Sequence, residues 1–278
     1  MMTEERKSRP PALRPMTIAV TSGKGGVGKT SISANLGAAL ADAGRRVLLV
    51  DADLGLANLD IVLGLEPQFT IADLLADTCT IDDVLLRGPG GLTLLPATSG
   101  VHELTELGHG QRASLLATIE SIENRFDTVI LDCPAGIGSD VQLFGGVADE
   151  VLVVATPDPT SLTDAYALMK VLHTERKRQS FRVVASQVTS SQQARKIYKV
   201  LSTVTDKYLN LQVDLLGWVP HDDAWRRAVL DRRLAYTSHP TSDATSQMRA
   251  LSRRIQNLER ATSRARGGVS ALLLGENQ

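Results

Sequence analysis

Between the apolar run Thr17-Ile-Ala-Val-Thr21 and the Ala/Leu-rich stretch from Ser31 to Ala43, the chain reads Gly23-Lys-Gly-Gly-Val-Gly-Lys-Thr30. This fits the spacing GxxxxGK[ST], and the flanking residues predict a strand before it and a helix opening at its end. That order is demanding. Gly23, Gly25, Gly26 and Gly28, with Val27 between, let backbone N–H groups curl around phosphate oxygens, and the helix start at Thr30-Ser31 adds positive potential. In such a loop Lys29 reaches the β- and γ-phosphates, and the Thr30 hydroxyl coordinates Mg²⁺. The expected ligands are therefore ATP or ADP with Mg²⁺.

The rest of the chain repeats the pattern. Val47–Val50, Thr128–Leu131, Val151–Ala155 and Arg182–Ala185 are continuous apolar runs, as in strands buried on both faces of a parallel sheet. Leu92–Leu95 and Val213–Val219 predict two more strands, and Arg112–Glu123, Ser161–Glu175 and Gln192–Leu209 predict intervening helices. Alternating units of this kind specify an α/β fold: a doubly wound, mostly parallel sheet with helices on both faces. No internal repeat divides it, so one domain is expected over 16–262, with a flexible arm at 1–15 and a tail at 263–278. A net charge of −1 argues against a surface built throughout for polyanions. Cys79 and Cys133 lack zinc or redox spacing, and His102, His109, His173, His221 and His239 form no paired-ligand motif. No apolar run is long enough for a bilayer, which points to the cytoplasm.

Three carboxylates complete the expected centre. Asp51 and Asp53 follow one buried strand and Asp132 ends another, at the carboxyl edge where ligands of doubly wound sheets sit. By analogy with Walker B sites, Asp132 holds Mg²⁺ through water, Asp51 supports the metal from behind, and Asp53 orients the attacking water. The expected reaction is slow phosphoryl transfer from ATP to water.

Lys24 is a second cation in the loop, and its place at the loop's start aims it away from its own γ-phosphate. With this lysine, KGGVGKT resembles the deviant Walker A of the MinD/ParA ATPases. The resemblance implies that Lys24 reaches across a face-to-face, ATP-dependent homodimer to the partner's phosphates, making Lys24, Lys29 and Asp53 the catalytic set. Asp53–Asp60 resembles the family's switch I and Asp132–Gly138 its switch II. Asp158 stands where the family makes cross-subunit contacts to nucleotide, although Thr160 to Asp164 also reads as an ordinary helix start. Where relatives often place an adenine-reading Asn, this chain has Ser186-Gln187, so Gln187 or backbone groups near Pro220 take that role.

Leu48–Leu65, the Asp132–Gly138 stretch and Pro157–Lys170 resemble the flagellar-number regulators called FlhG or FleN. The implied partner is a flagellar assembly or regulatory protein, an SRP-type GTPase or a transcription activator. The arm reads Pro11-Ala-Leu-Arg-Pro15 and lacks the DQAxxLR segment of members that stimulate the GTPase. A MinD-like division-site role and a ParA-like partition role remain alternatives. Met248, Leu251, Ile255 and Leu258 share one helical stripe, opposite Arg249, Arg253, Arg260 and Arg264. Three readings stay open: a helix docked on the domain; a peripheral membrane element continuing through Arg266 and Gly267–Leu274; or, with Arg226, Arg227, Arg232 and Arg233, a non-specific DNA surface.

Overall fold

The computed structural model describes residues 14–97 and 108–262, without the side chains of His109 and residues 259–262. The expectations for the arm up to residue 13, for His102, Arg260 and for the tail from 263 lie outside the described residues. In chain order the elements are β1 (Met16–Ser22), α1 (Lys29–Asp42), β2 (Val47–Asp51), α2 (Leu59–Leu63), α3 (Ile71–Leu75), α4 (Ile81–Val84), β3 (Leu86–Arg87), β4 (Thr93–Leu95) and α5 (His109–Glu123). They continue as β5 (Thr128–Ala135), α6 (Ser139–Val147), β6 (Glu150–Ala155), α7 (Pro159–Arg176), β7 (Phe181–Val188), α8 (Ser191–Leu209), β8 (Val213–Pro220), α9 (Asp223–Leu230), α10 (Ala235–Ser238) and α11 (Asp243–Thr262).

One eight-stranded sheet runs β3-β4-β2-β5-β1-β6-β7-β8. Every pairing is parallel except β3 with β4, where a two-residue strand turns back on the edge. All residues of β1, β2 and β6 are buried, because helices cover both faces and leave no side to water. One core layer gathers Leu131, Phe144, Leu168 and Phe181, and the other gathers Ile18, Leu36, Leu49 and Leu251. The single doubly wound domain expected from the apolar runs is the one observed.

The register places the carboxylates. Asp51 lies directly opposite Asp132 across β2 and β5, and Val20 opposite Asp132 across β1 and β5, so the loop after β1 and both acidic strand ends share one edge. Helix α11 settles the amphipathic stripe for its described part. Met248, Leu251 and Ile255 are buried against the α1 side of the sheet, Leu258 packs partly beside them, and Ser252 Oγ donates to the Ala39 carbonyl at 3.1 Å. Each such apolar side chain contributes roughly 1.5–3 kcal/mol on burial. Arg249 donates to the Pro240 carbonyl and lies over the Tyr236 ring, and Arg254 donates to the Leu216 carbonyl. The stripe is thus a docking face.

Candidate functional site

The loop from Gly23 to Gly28 joins β1 to α1 as the glycine spacing requires. Gly28 has φ 94° in front of α1, a left-handed conformation suited to glycine. Gly23 is needed for a different reason: a Cβ there would lie 2.1 Å from the Asp164 carbonyl group, so the loop presses directly on the backbone of α7. Gly25 differs from both. A Cβ on it would meet open space and its φ is not left-handed, so neither packing nor backbone strain within this chain demands glycine there. The expectation that Gly25 binds phosphate thus rests on the open approach it leaves to a ligand. Ser22 Oγ donates to the Lys24 carbonyl at 2.6 Å, and Ser186 Oγ on β7 donates to the Val27 carbonyl at 2.7 Å. The loop is fastened at both ends.

Lys29 is buried at the start of α1, and burial pulls its pKa below the ordinary lysine range while Asp132 and Asp53 oppose that shift. Asp132 accepts a 2.7 Å hydrogen bond from Ser33 Oγ, and the Thr30 hydroxyl acts on the same carboxylate. Burial raises its pKa to about 6, against the pull of Ser33, Thr30 and Lys29. Asp51 is raised to about 8, first by burial and then by Asp132. Its carboxylate accepts from the backbone N–H groups of Asp53 at 3.3 Å and of Asn58 and Leu59 at 3.0 Å. Asp51 therefore braces the loop that carries Asp53, behind any metal bound at Thr30 and Asp132. Asp53 is half-buried, and burial raises its pKa while Lys29 lowers it.

These observations bear on Mg²⁺. Two buried carboxylates, both shifted toward protonation, face each other with a hydroxyl at the loop end, a donor set of hard oxygens short of positive charge. The described residues contain no group of three or more acidic, His or Cys side chains fit to cage a metal. Thr30 and Asp132 fit an ion completed by phosphate oxygens and water, as Mg²⁺ commonly is.

Lys24 takes a separate position. Its ammonium lies 2.5 Å from Asp158 Oδ2 and 2.6 Å from Thr160 Oγ1 of the same chain. Asp158 also accepts from the Thr160 N–H at 2.9 Å, with Pro159 opening the helix. The expected start at Thr160 is corrected: Asp158 is the cap of α7, because its carboxylate reaches the free N–H two residues on. Lys24 holds Asp158 below the ordinary carboxylate range. A cleft of about 280 Å³ lies between Lys24–Val27 and Thr156–Asp158, with Gly25 and Gly26 on its wall and Gln187 on its rim.

A second cleft, of about 310 Å³, is lined by Gly28, Ser31, Ile32, Gln187, Pro220 and Trp225, among others. Gln187 stands in a left-handed conformation, φ 56°, and its amide donates to the Gly26 carbonyl at 3.1 Å. The two candidates for reading a base, Gln187 and Pro220, thus border one cavity. Sequence reasoning missed Trp225, His221 and Arg226 on the same wall. Their signal was an aromatic among charges shortly after the last strand, which does not by itself reveal the distant Gly28 and Ser31.

A strand, a glycine loop with a buried lysine, and acidic strand ends on one edge define a phosphate-binding-loop nucleotide protein. Comparison with known proteins narrows this. The family model described as AAA domain matches residues 16–183. The chain is 44% identical to the Antiactivator FleN of Pseudomonas aeruginosa, over 86% of each protein. It is 34% identical to the Flagellum site-determining protein YlxH of Helicobacter pylori, over 78% of this chain and 74% of that protein. The Pyrococcus horikoshii OT3 septum site-determining protein MinD, solved with Mg-ADP, superposes with a TM-score of 0.73 at 27% identity, covering 88% of this chain and 97% of that one. The chain belongs to this AAA domain family, as a MinD/ParA-type ATPase similar to the FlhG/FleN branch.

Proposed function

We propose that the protein is a Mg²⁺-dependent ATPase, monomeric when empty or ADP-bound and paired face to face when ATP-bound, and that the pair regulates the number or placement of flagella. Lys24 carries this reading. Its side chain keeps 40% of its surface exposed, outside the buried seat of Lys29, where a second subunit's phosphates can meet it. Leu56 and Ile137, in the loops after Asp53 and Asp132, expose apolar side chains that pairing or a partner would cover.

Within each site, Lys29 and the amides from Gly23 through Gly25 and Gly26 to Gly28 bind the phosphates, with Gln187 and Pro220 at the base. Thr30 and Asp132 would hold Mg²⁺, which when bound would neutralise phosphate charge. Asp53 accepts a hydrogen bond from the attacking water, Asp51 fixes the Asp53 loop, Lys24 contributes at the seam between subunits, and Asp158 holds Lys24 within its own chain until pairing. The flagellar output rests on the likeness to FleN and YlxH, and the word antiactivator in the former's name favours a transcription activator as partner over an SRP-type GTPase.

No described helix is long and apolar enough to cross a membrane. With the stripe of α11 spent on docking, any lipid contact falls to Arg264–Leu274, and deleting 264–278 should then abolish ATP-stimulated vesicle binding. The function is tested by replacing the chromosomal copy with Lys24→Ala and counting flagella per cell. Numbers should match those of a deletion strain; an unchanged count would remove the proposed role of pairing.

A further inference from the structure

Helix α9 ends at Leu230, Asp231-Arg-Arg-Leu234 follows, and Arg232 adopts φ 52°, a left-handed position usually given to glycine after a helix end. The chain there is tightly fixed. Asp231, Arg232 and Arg233 donate their N–H groups to the Arg227, Val229 and Ala228 carbonyls at 2.9, 3.1 and 2.8 Å. On the α2 side, a Cβ on Gly64 would lie 2.4 Å from the Arg232 carbonyl oxygen, so the turn is clamped against the segment leaving α2. On the other side Leu234 is buried. Lys177 and Asn210 close α7 and α8 in the same left-handed conformation, so this geometry fixes where Arg232 stands and is shared by other helix ends of the chain.

Arg232 lines a cleft of about 510 Å³ with Arg233, Leu63, Pro89, Thr237 and Ser238. Both arginines are exposed, and among the described residues neither guanidinium is paired with a carboxylate, neighbouring Asp231 included. Thr237 and Ser238 stand 3.0 and 2.8 Å from the Leu234 carbonyl, which accepts from both; Ser238 Oγ also meets His239 Nδ1 at 3.0 Å, so the Thr237 oxygen is the one with lone pairs left as acceptors. Two adjacent forked cations beside a hydroxyl acceptor suit a ligand with an anionic oxygen cluster at one end and an O–H group at the other. The volume is that of a small-molecule site.

We infer that the cleft between the end of α2 and the α9–α10 turn binds a hydroxylated phosphate ester, gripped by Arg232 and Arg233. The site is separate from the phosphate loop and stands whether or not the chain regulates flagella.

The experiment uses the full chain loaded with Mg-ADP, so that the phosphate loop is filled, and titrates sn-glycerol 3-phosphate by calorimetry. Saturable binding is expected. The double variant Arg232→Gly with Arg233→Ala should weaken it at least about tenfold, whereas Arg227→Ala with Arg253→Ala, an equal loss of charge, should leave it within about twofold. Arg232→Gly alone should melt higher than wild type, because glycine relieves the left-handed backbone, so weaker binding in that variant cannot be ascribed to unfolding. Vesicles of phosphatidylglycerol in phosphatidylcholine form a parallel arm. Competition there through the same arginines would assign the ester to a lipid headgroup, and its absence to a soluble compound. No saturable binding of the free ester, or equal loss in both double variants, overturns the proposal.

Discussion

Lys24 Nζ and Asp158 Oδ2 stand 2.5 Å apart within one chain, so the lysine proposed to act on a partner's nucleotide is first held at home. To cross a dimer seam it must leave Asp158 and Thr160. Asp158→Asn removes the competing charge while an amide oxygen still caps α7. Exposed ion pairs count for little, so the protein concentration at which the ATP-bound form pairs should fall only a few-fold. Sedimentation at several concentrations checks this; weaker pairing would instead mean that Asp158 itself contacts the partner.

A pH dependence follows from Asp51 and Asp132, which face each other across β2 and β5. Both begin from an unfolded value of 3.8 and are raised in the fold, Asp132 to about 6 and Asp51 to about 8. The folded protein therefore holds more protons than the unfolded chain between these values, and stability must decline as pH rises through the window. For the metal-free, nucleotide-free protein the loss from pH 5 to pH 8 should be on the order of a few kcal/mol. Asp51→Asn should flatten the decline, and Mg-ADP should oppose it by favouring ionised Asp132. Thermal melts across the window read all three, and a melting temperature that rises with pH in the free protein would count against the assignment.

Asp53 and Asp132 should separate hydrolysis from binding. The Asp53 loop is braced by Asp51, whereas the proposed seat of the ion is the cluster of Thr30 and Asp132, where Asp132 accepts from Ser33. Asp53→Ala should bind Mg-ATP nearly as wild type does and lose a few kcal/mol of transition-state stabilisation, roughly a hundredfold in phosphate release. Asp132→Ala should lose Mg²⁺-dependent binding together with turnover, and it leaves Ser33 buried without its acceptor. Affinity and phosphate release measured side by side decide between them; wild-type turnover by Asp53→Ala would shift the water-orienting role to Asp51.

Much of this arrangement was legible before any coordinates. Strands such as Val47–Val50 are apolar on both faces, and the glycine loop has a spacing that only a strand-to-helix turn uses. Helices α2 to α4 went unread because four or five residues are too few to show a 3.6-residue period. Their available signals were Thr70 with Asp73 and Thr80 with Asp83, each a reciprocal cap. The arginines of α11 were ambiguous for a different reason. A basic amphipathic pattern fits lipid, DNA or solvent alike, and only burial of Met248, Leu251 and Ile255 against α1 distinguishes docking. Trp225 joins Gly28 and Ser31 through a fold-level contact that local pattern cannot supply.

The mass of the ATP-bound protein, measured by sedimentation velocity with Lys24→Ala alongside wild type in an Asp53→Ala background, tests the central claim most directly. The account predicts a monomer with Mg-ADP, a dimer with Mg-ATP, and a monomer with Mg-ATP once Lys24 is alanine, while ATP affinity stays within a few-fold because Lys29 is untouched. A Lys24→Ala protein that pairs with ATP as fully as its parent, or a parent of the same mass in both nucleotides, would contradict it.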